Sequence, residues 1–136
     1  MVYAANNLVL NTEACLLWLS VGLWIVMYDT FYALADKEDD LKIGINSTAI
    51  LLGKRVGFIT ILLQISVVLL WVFVGLLYEL NFIYFSSLIV AACLFVRQQQ
   101  LIRGRDPKKC LKAFLENNYV GLVVFLGVFL DLLFIE

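Results

Sequence analysis

The chain contains no histidine and few charges. Of its 136 residues, 15% are charged and 63% are hydrophobic, whereas a typical soluble domain has about 25% charged residues. The missing histidine excludes Ser/His triads, His-based zinc sites and imidazole acid–base chemistry. The three cysteines are odd in number and lack C-x-x-C spacing, so neither a disulfide framework nor a zinc cluster is indicated. With a net charge of −1, the chain lacks the excess of positive charge that is typical of nucleic-acid-binding proteins.

Four long apolar runs are the main feature of the sequence. They cover approximately residues 14–35, 56–78, 80–96 and 119–135. A helix of roughly 20 apolar residues crosses the hydrocarbon core of a bilayer. Together, the four runs leave too little polar surface for a soluble helical bundle. The sequence therefore predicts an all-α, multi-pass transmembrane helix bundle, with residues 1–136 forming a single domain in contact with a lipid bilayer.

The basic residues predict the orientation of these spans. All ten lysines and arginines fall into two stretches, one between the first two runs and one between the last two. Because two spans separate these stretches, they lie on the same side of the membrane, and the positive-inside rule makes that side cytoplasmic. The basic residues are Lys37, Lys42, Lys54, Arg55, Arg97, Arg103, Arg105, Lys108, Lys109 and Lys112.

An acidic stretch directly follows the first run, with four acids among residues 36–40. If the helix continues at about 100° per residue, Asp29, Asp36 and Asp40 lie within about 20° of one line. Tyr32 lies about 60° to one side of that line. A stripe of carboxylates is unfavourable unless a positive charge neutralises it, and an acid at membrane depth favours a functional explanation.

Divalent-metal binding is the chemistry that suits such a stripe. Mg²⁺ is commonly held by one or two carboxylates together with substrate phosphates. Lys42, Lys54 and Arg55 are close enough in sequence to bind the remaining phosphate oxygens. The alternative is that residues 36–40 form a solvated loop whose acids offset the four nearby cations. An EF-hand is excluded because the stretch lacks the required spacing of acids.

The residues around this stretch carry a family resemblance. From Tyr28 to Ala49 the sequence reads YDTFYALADKEDDLKIGINSTA. This string resembles the second aspartate-rich motif of the UbiA family of intramembrane prenyltransferases, and the likeness extends through Gln98-Gln99 and the segment from Lys112 to Leu122. Within the family, the match is strongest to members that prenylate 4-hydroxybenzoate in ubiquinone biosynthesis.

The resemblance implies a Mg²⁺-dependent transfer of a polyprenyl group from its diphosphate to the aromatic ring of 4-hydroxybenzoate. By position in the motif, Asp36 and Asp40 bind the metal, and Asp39 assists them. Lys42 contacts the diphosphate of the substrate.

Two other motif positions, Asp29 and Tyr32, are implied to act in catalysis by shaping the aromatic pocket or by positioning the cation. Asn117 and Asn118 also match the family, but the sequence gives them no chemical role. Helix capping or helix packing is the interpretation favoured for these two asparagines.

The resemblance covers only the C-terminal half of a nine-helix family member. The family's first motif, N-D-x-x-D-x-x-x-D, has no counterpart before Asp29, where Asn6-Asn7 is not followed by acids. We therefore expect the chain to be inactive alone and to require a complementary N-terminal half. The implied location is the bacterial inner membrane, with the acidic motif on the cytoplasmic side. Two alternatives remain: a non-catalytic remnant or partner subunit of a full-length enzyme, and a small cation-transport protein.

Asp131 is the one acid inside the fourth run. It either faces the interior of the bundle or lies near the far membrane interface. We expect the interfacial position, because the residue is close to the end of the run.

Overall fold

The computed structural model describes residues 11–134. Four long helices make up most of that range: α1 (Thr12–Ile43), α3 (Val56–Leu77), α4 (Phe82–Ile102) and α5 (Pro107–Leu133), with a five-residue helix α2 (Thr48–Leu52) between the first two. No strand occurs within residues 11–134. The predicted all-α bundle with four helices long and apolar enough to cross a membrane is confirmed.

The four long helices form a ring. Helix α1 packs against α3 and α5, and α4 packs against the same two helices. The groove between α1 and α5 is therefore on the opposite side of the ring from the groove between α3 and α4. At the Lys/Arg-rich end of the bundle, α1, α4 and α5 continue beyond the apolar runs. The last predicted position of the fourth run, Ile135, lies outside the described residues.

Local sequence explains where the helices begin and end. The side chain of Asn11 accepts a hydrogen bond from the main-chain nitrogen of Ala14 at 3.0 Å and caps α1. Helix α1 ends at Gly44, whose φ of 75° lies in the left-handed region that glycine adopts without strain. Ser47 caps α2 in the same way as Asn11 caps α1. Asp106 caps α5, whose first residue is Pro107.

Helix α4 begins with a cap supplied by another helix. The Asp131 carboxylate accepts hydrogen bonds from the main-chain nitrogens of Asn81 at 2.7 Å and Tyr84 at 3.1 Å. Its side chain is buried. Of the two alternatives for Asp131, the structure shows that its side chain faces the interior of the bundle, at the end where α4 begins. Its position relative to the membrane interface stays a prediction. The positive end of the α4 dipole and two main-chain donors provide partners for this acid inside the bundle.

Close contacts between helices depend on small residues. Gly127 on α5 lies against Ser87 on α4, where a Cβ atom would overlap the serine side chain. Gly75 on α3 similarly lies against the ring of Tyr84. Small residues at these positions allow the helices to approach closely, which is the usual basis of helix packing in membranes.

Candidate functional site

All six residues predicted for the site lie on α1, which is an unbroken helix from Thr12 to Ile43. The acidic stretch is therefore helical and not a loop, while the alternative that its acids are solvated and offset nearby cations stays open. Asp36 and Asp40 are half-buried, whereas Asp29 and Asp39 are exposed. The continuous helix also places Asp29, Asp36 and Asp40 on one face.

The same helix carries a longer pattern than the acids alone. Trp24, Tyr28, Tyr32, Asp36 and Asp40 follow one another at intervals of four residues. Residues four apart form a continuous ridge on a helix surface. One half of this ridge is aromatic, and the other half is acidic. We refer to these five residues as the α1 ridge.

Asp39 and Lys42 do not lie on the α1 ridge. The Nζ atom of Lys42 donates to Oδ1 of Asp39 at 3.2 Å, and both side chains are exposed. An exposed ion pair of this kind is weak, so Lys42 can leave Asp39 for an anionic ligand at little cost. Lys54 and Arg55 are also exposed, on the 3-10 turn that precedes α3.

The carboxylates suit Mg²⁺ as part of a larger ligand set. Asp36 and Asp40 provide two oxygen donors one helical turn apart, which matches the one or two carboxylates that Mg²⁺ usually takes from a protein. Within residues 11–134, no group of three or more acidic, histidine or cysteine side chains comes together.

An aromatic wall forms next to the acidic half of the ridge. Phe114 of α5 contacts Tyr32 at a centroid distance of 5.2 Å and Tyr28 at 5.9 Å. Tyr28 in turn meets Trp24 edge-on at 5.8 Å, and Trp24 meets Trp71 of α3 edge-on at 5.5 Å. Edge-to-face and tilted arrangements at these distances are favourable.

A cavity of about 380 Å³ opens between α1 and α5 beside this wall. Its size is within the usual range for small-molecule sites. Aromatic side chains and two carboxamides contribute to its lining, which consists of Trp24, Tyr28, Phe114, Asn117, Asn118, Gly121 and Leu122.

Buried carboxamides connect all four long helices. Gln99 Nε2 donates to Gln64 Oε1 at 2.8 Å, and Gln64 Nε2 donates to Gln98 Oε1 at 3.3 Å. Gln98 Nε2 donates to Asn117 Oδ1 at 3.4 Å, and the same oxygen accepts from Trp24 Nε1 at 3.1 Å. Polar side chains that satisfy one another in this way hold membrane helices together. The network therefore runs from α3 through α4 and α5 to the aromatic half of the α1 ridge.

The role of Asn117 in this network agrees with the sequence-based interpretation of helix packing. The network itself was not predicted, although its members are visible in the sequence. Gln64 is the most polar residue of the second run, and Gln98 lies two residues after the end of the third. Carboxamides within or beside long apolar runs need partners inside the bundle, and this requirement is the signal that could have identified them.

The four apolar helices, with an acidic ridge beside an aromatic cavity, define a multi-pass membrane protein. The model of the UbiA prenyltransferase family matches residues 1–129. The chain belongs to the UbiA family.

Several relatives are named as 4-hydroxybenzoate octaprenyltransferases. That of Saccharophagus degradans is 50% identical over 131 residues, which make up 96% of this chain and 44% of the relative. That of Citrobacter koseri is 49% identical over 128 residues, covering 94% of this chain and 44% of the relative. That of Psychromonas ingrahamii is 45% identical, covering 98% of this chain and 46% of the relative. The chain thus spans less than half the length of these relatives. No solved structure matches it significantly.

Proposed function

We propose that this chain supplies the C-terminal half of a Mg²⁺-dependent prenyltransferase that joins a polyprenyl group to 4-hydroxybenzoate. The observation that carries the proposal is the α1 ridge, which places Asp36 and Asp40 one turn apart beside an aromatic wall. Family membership and the names of the relatives support the same reaction. The proposed role in the organism is ubiquinone biosynthesis.

In this reaction, the bond between the prenyl carbon and the diphosphate oxygen breaks, and the diphosphate leaves with the electron pair. A ring carbon of the acceptor then bonds to the allylic cation, and the proton on that carbon passes to the released diphosphate, which restores the aromatic ring. Mg²⁺, when bound, neutralises the charge that develops on the leaving diphosphate. We assign Asp36 and Asp40 to hold the metal, with Asp39 assisting, and Lys42 to contact the diphosphate.

The two other predicted site residues on α1 serve the other end of the prenyl bond. Asp29 and Tyr32 are assigned to shape the aromatic pocket and to position the allylic cation. In the assembled enzyme, the aromatic wall would help to keep away water, which would otherwise capture that cation. The proposed orientation puts this acidic end of the bundle at the cytoplasmic face of a bacterial inner membrane, because the lysines and arginines are concentrated there.

A complementary N-terminal half is part of the proposal. Of the family's two aspartate-rich motifs, the sequence carries the second, so the first would have to come from a second segment. We therefore propose that this chain is inactive without that segment.

Co-expression tests the proposal. The chain is produced with the N-terminal part of the Saccharophagus degradans relative, and membranes are assayed for prenylation of 4-hydroxybenzoate. We expect activity that needs both parts and Mg²⁺, and that is lost in Asp36→Asn and Asp40→Asn. Glu38→Gln, at an exposed acid of the same stretch, is the matched control and keeps the activity. If no activity appears while both parts are folded in the membrane, the chain is a non-catalytic membrane protein and the proposal is wrong.

A further inference from the structure

An open apolar groove runs along the outside of the bundle between α3 and α4. Its volume is about 490 Å³. On α3 it is lined by Ile61, Ile65 and Leu69, which follow one another at four-residue intervals and are all exposed. On α4, Ala92 and Val96 contribute to the opposite wall, and the small side chain of Ala92 helps to keep the groove open. We refer to this surface as the α3–α4 groove.

Arg105 lies at one end of the α3–α4 groove. A Cβ atom at Gly57 would lie 3.3 Å from Nη2 of Arg105, and Gly57 precedes Ile61 by four residues on the same face of α3. The Nη1 group of Arg105 donates to the main-chain oxygen of Ile102, the last residue of α4, at 3.2 Å. The guanidinium group therefore lies against the ends of both helices that form the groove, about one helical turn beyond Ile61.

The segment around Arg105 is strongly basic. Between the end of α4 and the first turn of α5 the chain carries Arg103, Arg105, Lys108 and Lys109, and all four are exposed. None of these four side chains pairs with a carboxylate of residues 11–134. The one acid of the segment, Asp106, accepts a hydrogen bond from the main-chain nitrogen of Lys108 at 3.0 Å instead. The four cations are therefore available to an anionic group outside the bundle.

We propose that the α3–α4 groove binds an anionic phospholipid, with its phosphate on Arg105 and one acyl chain between the two helices. A guanidinium group binds phosphate oxygens through paired, charge-assisted hydrogen bonds. Basic pockets at the ends of membrane helices are typical sites for acidic lipid headgroups. The aliphatic walls below Arg105 supply the surface on which the acyl chain of the same molecule packs.

The dimensions of the groove suit one acyl chain. From Ile61 to Leu69 it extends over eight residues, or about 12 Å along α3. One leaflet of the hydrocarbon core is about 15 Å thick, which is half of the roughly 30 Å of the whole core. With its phosphate on Arg105, the lipid would thus lie at headgroup level at one end, and its chain would reach almost to the middle of the bilayer.

The position of the groove separates it from the proposed reaction. The α3–α4 groove is on the opposite side of the ring from the cavity between α1 and α5. A segment that completes a metal site beside Asp36 and Asp40 would pack on the side of the α1 ridge, which leaves the α3–α4 groove facing lipid. The lipid site and the prenyl transfer are therefore independent, and either can fail while the other stands.

Lipid binding by the purified chain tests the proposal. The chain in detergent is titrated with phosphatidylglycerol and, separately, with phosphatidylcholine that has the same acyl chains, and bound lipid is measured by native mass spectrometry. We expect phosphatidylglycerol to bind more tightly, because phosphatidylcholine has no net negative charge. Arg105→Gln should weaken the binding of phosphatidylglycerol about tenfold, the loss expected for a hydrogen bond to a charged group. Equal affinities of the wild type for the two lipids would overturn the proposal.

The matched control is Lys109→Gln, which removes one positive charge from the same segment but keeps the guanidinium group at the end of the groove. It should weaken the binding of phosphatidylglycerol much less than Arg105→Gln does. If both substitutions weaken binding equally, general electrostatic attraction holds the lipid, and the proposed site at Arg105 is wrong.

Ala92→Leu tests the groove without a change of charge. The larger side chain fills the space between the helices and should weaken the binding of phosphatidylglycerol. Cys93→Leu adds volume at an exposed neighbouring position outside the lining of the groove and should leave binding unchanged. Unchanged binding in Ala92→Leu would overturn the placement of the acyl chain. Neither this pair nor the comparison of the two lipids depends on the folding of Arg105→Gln.

Assembly distinguishes the other occupants of the groove. Binding of phosphatidylglycerol should persist when the chain is assembled with the N-terminal part of the Saccharophagus degradans relative, and when geranyl diphosphate is added. Displacement of the lipid by the N-terminal part would make the groove a contact surface between the two parts. Displacement by geranyl diphosphate would make it part of the substrate site. Either result overturns the proposal.

Discussion

Asp131 in the last turn of α5 caps the first turn of α4 by accepting a hydrogen bond from the main-chain nitrogen of Tyr84 at 3.1 Å. An acid near the C-terminus of its own helix is unfavourable, because it meets the negative end of that helix dipole. Here the carboxylate instead neutralises the positive end of a neighbouring helix. This contact, together with Gly127 against Ser87, fixes the relative position of α4 and α5 at the end of the bundle remote from the acidic ridge.

Replacement of Asp131 should destabilise the bundle. Asp131→Ala leaves two main-chain donors of α4 without their acceptor, and we expect a loss of about 1–2 kcal/mol. Asp131→Asn retains one oxygen acceptor and should lose less. Thermal or denaturant unfolding in detergent measures both variants. Equal stability of wild type and Asp131→Ala would show that the cap contributes nothing.

Gly127→Ala should separate α4 from α5, because the added Cβ overlaps the side chain of Ser87. Overpacking of this kind costs about 1–3 kcal/mol, and the second substitution Ser87→Gly should recover part of it. The control is Gly22→Ala on α1, where a Cβ meets nothing within 4 Å. That variant should be as stable as the wild type or more stable, since alanine favours a helix over glycine. If both alanine variants behave alike, close packing at Gly127 is not required.

The hydrogen bond between Gln64 and Gln98 should show measurable coupling. A double-mutant cycle with Gln64→Leu and Gln98→Leu, read by unfolding in detergent, isolates the pair. We expect a coupling free energy of about 0.6 kcal/mol, the average for polar contacts between membrane helices. Gln100→Leu, on the exposed face of α4, should not couple to Gln64→Leu. Additive effects of the Gln64 and Gln98 substitutions would contradict the network.

Asp39 should matter less than Asp36 for metal binding. The structure pairs Asp39 with Lys42 at 3.2 Å, away from the α1 ridge. We therefore expect Asp39→Asn to weaken Mg²⁺-dependent diphosphate binding much less than Asp36→Asn does, as judged by titration of each variant. A larger effect at Asp39 would mean that the metal binds on the other face of α1.

The helical architecture could be predicted from the sequence because it depends on local features, the lengths of the apolar runs and the spacing of residues within them. Apolar run length predicted the four helices, and four-residue spacing placed Asp36 and Asp40 on one face of α1. The partners of Asp131, Gln98 and Asn117 were not predictable in this way. Each lies on a different helix from its acceptor or donor, so the pairing depends on the rotation and relative height of packed helices, which the spacing of a single run does not specify.

The most direct test of the account is calorimetric titration of geranyl diphosphate in the presence of Mg²⁺, using the chain assembled with its proposed N-terminal half in detergent. The account predicts binding that disappears on chelation of Mg²⁺ and is strongly weakened in Asp36→Asn and Asp40→Asn. Glu38→Gln should bind like the wild type. Diphosphate binding that persists unchanged in both aspartate variants would contradict the assignment of the metal site to the α1 ridge.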